Sequence, residues 1–101
     1  MRELSNKLKL NNLLNKLNLP YSREQESLDI NYVGSLNENR KNILSFSKEK
    51  VTSNVFKGIL FAPQGSIKSP SIVTVNNPRL SFANSLNYII IPPSFDFLHE
   101  K

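Results

Sequence analysis

SIVTVNNPRLSFA, residues 71–83, decides the fold of this chain. Ile72-Val73-Thr74-Val75 is β-branched throughout, and such side chains suit a pleated surface better than a helix. Asn76-Asn77-Pro78 follows at once. An Asn side chain can accept from the free N–H groups of a first turn, and Pro at the first helical position forfeits no hydrogen bond. The spacing predicts a helix over 78–89 with Leu80, Phe82, Ala83, Leu86 and Tyr88 on its inner face. Pro92-Pro93 ends it, and 94–101 reads as a tail or linker stub.

Working outward, Gly58-Ile59-Leu60-Phe61-Ala62 is a continuous apolar strand stopped by Pro63, and 64–70 is a turn region. Two continuous apolar strands, 58–62 and 71–75, predict a sheet covered on both faces or a central pair. Ile43-Leu44-Ser45-Phe46 reads as a short buried strand after the loop Asn37–Asn42. Residues 47–56 are ambiguous, with a short helix over 48–56 as one reading. Residues 28–34 alternate as a half-buried strand ended by Gly34. Residues 21–27 are a polar connection. In 3–18, Leu4, Leu8, Leu10, Leu13, Leu14 and Leu17 recur at helical spacing, and Pro20 ends the segment. That helix would pack on the core, or rest its basic side on a membrane or partner. The expected architecture is α/β (α+β): one small mixed β-sheet flanked by helices, with residues 1–93 as one domain.

The 101 residues suffice for one modest core. At 39% hydrophobic and 21% charged the chain has an ordinary folded composition. It has no cysteine, which excludes disulfides and thiolate-ligated metals. His99 is the one histidine, which excludes a multi-histidine metal site. Three glycines form no phosphate-cradling loop motif. No cofactor is implied. The net charge of +5 is spread along the chain without a Lys/Arg run, so nucleic acid is not the indicated partner. The longest apolar run, 88–91, is far short of a membrane span, and the default expectation is a soluble cytoplasmic chain.

Catalytic constellations are thin. Asp96 and His99 lie in the tail-like segment, and the carboxylates fall mostly in solvated loops. Binding chemistry is the better prospect. Phe46 ends a strand and opens into Ser47-Lys48-Glu49-Lys50, so its ring either plugs the core or offers a stacking platform to a planar base. Asn77 and Arg79 stand at a helix N-terminus. They are either an ordinary cap with a surface arginine, or a seat for an anion such as a phosphate.

These same segments resemble the N-terminal, non-repeat domain of bacterial UDP-3-O-acylglucosamine N-acyltransferases, enzymes of lipid A synthesis. The resemblance is carried by SIVTVNNPRLSFA (71–83), by YVGSLNENRKNILSFSKEK (32–50) and by GILFAP (58–63), and it spans about residues 3–92. The domain is also similar to the N-terminal domains of Mur ligases. The resemblance implies a small α/β unit that helps hold the uracil of a UDP-sugar and is not catalytic alone. Acyl transfer from acyl carrier protein, and trimerisation, belong to a following β-helix of hexapeptide repeats that this sequence does not contain. It implies that Phe46 stacks on the base. The family's base-bonding asparagine falls on Glu49, which can accept from a uracil N3–H but cannot donate to a carbonyl. Its second aromatic falls on Thr52, which has no ring. The rival expectation is a structural or interaction module that keeps the fold without a nucleotide.

Overall fold

A computed structural model describes residues 1–89. The proline pair, the 94–101 segment, Asp96 and His99 lie outside the described residues. The fold is the small mixed α/β domain expected: one five-stranded sheet in the order β1-β2-β3-β4-β5 with two helices. The strands are β1 (Arg2–Lys9), β2 (Asp29–Val33), β3 (Ile43–Phe46), β4 (Ile59–Pro63) and β5 (Ile72–Val75). The helices are α1 (Leu10–Lys16) and α2 (Pro78–Ser85). β1 runs antiparallel to β2, and β2 through β5 are mutually parallel.

The largest departure from expectation is at the N-terminus. Residues 2–9 form a strand, and only 10–16 are α-helical. Glu3 pairs with Tyr32 while Leu8 pairs with Ile30, so β1 carries extra residues between two stretches of good register. That irregularity separates Leu4 from Leu8 by the interval a helix would use. From Lys7 to Leu10 charge and leucine alternate, which is strand patterning. Lys7 and Lys9 lie 3.8 and 3.9 Å from the two oxygens of Asp29 on the neighbouring strand. Pairing with β1 also satisfies the backbone groups of β2 that would otherwise form a free edge. α1 then ends as a Schellman turn. Asn18 takes a left-handed φ of 59°, and the Leu19 N–H donates to the Leu14 carbonyl at 2.8 Å.

α2 starts where expected. Asn77 caps it, its side-chain oxygen accepting from the Leu80 N–H at 3.1 Å, with Pro78 in the first turn. It stops at Ser85, and its inner face is not the one the apolar spacing predicts. Pro78 and Ser85 are buried and Phe82 is half-buried, whereas Leu80, Leu86 and Tyr88 are 54%, 42% and 44% exposed. Small residues bring this helix close to the sheet, and Ser85 is satisfied there by donating to the Ser81 carbonyl at 2.8 Å. Residues 48–56 contain no helix, and 23–27, expected as a connection, forms a 3₁₀ turn with a capping box on Ser22. β5 is an edge strand, so 58–62 and 71–75 are not a central pair.

Leu44, Ile59, Phe61, Val73 and Val75 form one cluster with Leu10, Leu13 and Leu14 of α1, with Phe46 and Phe82 packed against it. Leu60 faces the other way, where it lines a groove with Val51, Val55 and Phe56. The three parallel crossovers, 34–42, 47–58 and 64–71, contain no helix, although most parallel connections do. They are tied to one another instead. Asn39 accepts from the Lys57 N–H at 2.6 Å and donates to the Val55 carbonyl at 3.3 Å. The Val51 N–H donates to Ser66 Oγ at 3.0 Å, and Asn54 donates to Ser69 Oγ at 3.2 Å. At Gly58 a Cβ would run into the Ile43 carbonyl, so the return into β4 needs a bare backbone. Among the described residues no helix is long and apolar enough to cross a membrane.

Candidate functional site

At the carboxyl ends of parallel strands the chain leaves in loops that are free to vary, and a rigid sheet can position binding residues on them. Here the loops after β2 and β3 part at that edge around an open cleft of about 460 Å³. Ser35, Leu36 and Asn37 line it from one loop, and Ser47, Lys48 and Glu49 from the other. Ser45 and Phe46 form its floor at the end of β3.

Phe46 is half-buried. Its ring lies 5.2 Å from that of Phe82, tilted by 41°, so α2 supports it while it also borders the cleft. The tilted contact is a favourable aromatic geometry and restricts the ring's motion. The ring is therefore neither sealed in the core nor loose.

Both loops are held by their own side chains. Ser47 Oγ donates to the Glu49 carbonyl at 2.8 Å and accepts from the Glu49 N–H at 3.3 Å, which places Glu49 on the cleft rim. Across the opening, Glu38 accepts from the Ser35 N–H at 3.0 Å and pairs with the N-terminal ammonium. The ammonium first, and then the Ser35 N–H, hold the Glu38 carboxyl below the usual carboxylate range.

The structure brings Phe46 and Glu49 together at one cleft. Thr52 is elsewhere: it lines the adjoining groove of about 330 Å³ with Val51, Val55 and Phe56. That groove shares only Leu36 and Ser47 with the Phe46 cleft. Asn77 is committed to capping α2. Arg79 is exposed two strands from Phe46 and lines neither space. Ser35, Leu36 and Asn37 are the lining residues that sequence reading passed over. Strand direction would have found them, since the loop after each parallel strand meets at the same edge.

A separate hollow of about 490 Å³ opens at the amino end of β5, lined by Glu24, Gln25, Lys68 and Thr74 among others. It has no aromatic wall. Gln25, its most buried polar residue, already accepts from the Ser22 N–H at 2.8 Å and donates to the Pro70 carbonyl at 3.0 Å. Among the described residues there is no group of three side chains able to hold a metal ion. Comparison with protein families, with curated proteins and with solved structures finds no match for the chain.

Proposed function

We propose that this domain recognises a nucleotide-activated sugar, with the base resting on Phe46 and its polar edge turned toward Glu49. In this reading it is the non-catalytic substrate domain of an enzyme like the UDP-3-O-(3-hydroxyacyl)glucosamine N-acyltransferases. One observation carries it: a ring braced on one side by Phe82 borders a cleft at the carboxyl edge of a parallel sheet. A supported ring loses little freedom when a base stacks on it, and stacking contributes about 1–3 kcal/mol per base. The neighbouring serines, Asn37 and Glu49 supply hydrogen-bond partners for a heterocycle's edge.

Isothermal titration with UDP, UDP-N-acetylglucosamine and dTDP tests the reading. Binding that weakens by tenfold or more, an order of magnitude set by the stacking energy, is expected in Phe46→Ala. Thermal unfolding of the variant separates lost binding from lost fold. No heat with any of the three nucleotides in the folded chain ends the proposal.

The exposed Leu80, Leu86 and Tyr88 favour a second reading, an interaction module that binds no nucleotide. It expects Leu80→Ser to alter association with a partner chain while Phe46→Ala does not.

A further inference from the structure

We propose that the outer edge of β5 pairs with β5 of a second copy of this chain, antiparallel and two-fold about Thr74, joining two sheets into one. The inference goes beyond the nucleotide reading and stands without it.

A parallel ladder takes the backbone groups of alternate residues to one side. The Leu60 N–H donates to the Ser71 carbonyl at 2.8 Å, and Leu60 is in register with Ile72. Ser71, Val73 and Val75 therefore turn their backbone groups toward β4, while Ile72, Thr74 and the Asn76 N–H turn theirs outward. No strand among the described residues lies on that side. The Ile72 N–H is spent on the Ser69 carbonyl at 3.0 Å. What remains is an acceptor on Ile72, a donor and an acceptor on Thr74, and a donor on Asn76.

That row is its own complement when reversed. With Thr74 facing Thr74 of the second copy, each Thr74 N–H donates to the other's carbonyl. Each Asn76 N–H donates to the Ile72 carbonyl opposite. All four groups find partners, as buried backbone groups must. The Thr–Thr pair on the axis is itself a favourable cross-strand neighbour.

The two edges of the sheet meet solvent differently. β1 bears Arg2, Glu3, Lys7 and Lys9 and has an irregular register, and both features deter strand addition. β5 is four β-branched residues in unbroken register, with no charge, proline or bulge. The hollow of about 490 Å³ opens beside Ile72 and Thr74, so a strand has room to approach. The guarded β1 edge disfavours a head-to-tail β5-to-β1 contact, whereas a two-fold β5 pair closes at two chains.

The test is sedimentation velocity of the full chain over a concentration series, with Thr74→Pro, Thr74→Lys and Thr74→Glu beside the wild type. The wild-type mass should rise from one chain toward two as concentration increases. Thr74→Pro removes a donor that faces away from β4, so the dilute chain should keep its circular dichroism and melting temperature yet stay monomeric. Thr74→Lys and Thr74→Glu set like charges against each other on the axis and should each stay monomeric. Their equimolar mixture should associate at least as tightly as the wild type. In hydrogen exchange, the Thr74 and Asn76 amides should slow as the wild-type concentration rises. A wild type that is monomeric at every concentration overturns the proposal and leaves the edge to a strand of another protein. A dimer that persists in folded Thr74→Pro also overturns it, placing the contact elsewhere, such as at the exposed Leu80 and Leu86. Failure of the Lys and Glu variants to associate when mixed overturns the two-fold register on Thr74. Thr74 and Asn76 amides protected equally at every concentration overturn the pairing, since the edge is then covered within one chain.

Discussion

The β1–α1 unit and the carboxyl edge of β3–β5 use their side chains in opposite ways. In the first, Leu10, Leu13 and Leu14 are completely buried. At the second, Phe46 is half-buried, Lys48 and Glu49 are exposed beside it, and Lys50 and Arg79 are exposed farther along the edge. Apolar burial contributes about 25 cal/mol per Å², so cohesion comes mainly from the leucine side. The carboxyl edge contributes geometry: loops fixed by their own hydrogen bonds, with exposed charged side chains. The two sets barely overlap, and Phe46 is where they touch. Stability and binding should therefore respond to different substitutions.

The hardest blow to that division is Leu13→Ala. A fully buried leucine cut to alanine costs about 2–5 kcal/mol. Urea unfolding should show that loss, while the fraction still folded binds nucleotide as before. If affinity falls in step, the two regions are not independent. Phe46→Ala should show the mixed pattern: a stability loss smaller than for Leu13, because one side of the ring is already open, and a larger loss of binding. Equal stability losses at the two positions would put Phe46 wholly in the core.

Asn77→Ala sharpens the contrast on the far strand end. Removing the cap should cost about 1 kcal/mol and lower the melting temperature. Since the amide is committed to the Leu80 N–H, nucleotide affinity should stay level. Loss of affinity at unchanged melting temperature would make Asn77 a ligand contact instead.

The smallest effect is at Glu38. Its carboxyl is held below the usual range by the N-terminal ammonium and by Ser35, so its contribution is complete above the unfolded carboxylate's pKa. It is lost as pH falls through the lowered folded value. Melting temperature should therefore drop on acidification slightly more in the wild type than in Glu38→Gln. Identical acid profiles would show that this exposed pair adds nothing.

The mixed α/β class, four of the five strands and the start of α2 are readable from local chemistry. Short apolar and β-branched segments and an Asn-Pro cap act over a few residues and need no distant partner. β1 is different. Its Leu4–Leu8 interval mimics a helix because the extra residues fall between paired stretches, and only the pairing with β2 reveals them. α2 misleads for a related reason: its inward residues are Pro78 and Ser85, chosen for closeness to the sheet and not for hydrophobicity. At the site, Phe46 and Glu49 lie three residues apart at one strand end, so they are found together. Thr52 is named from the spacing of the family resemblance, and the helix-free loop over 48–56 carries it onto the neighbouring groove.

Those helix-free crossovers carry a thermodynamic consequence. The strands share one apolar core, but the crossovers are tied each to the next, as coils are in a solenoid, so opening outside that core passes from neighbour to neighbour. Amide protons should then exchange in a graded sequence, earliest around the outermost turn beside β5 and latest near β3. The nucleotide's proposed berth lies at the β3 end of that series, between the first two crossovers, where a guest bridging both would slow the unravelling of each.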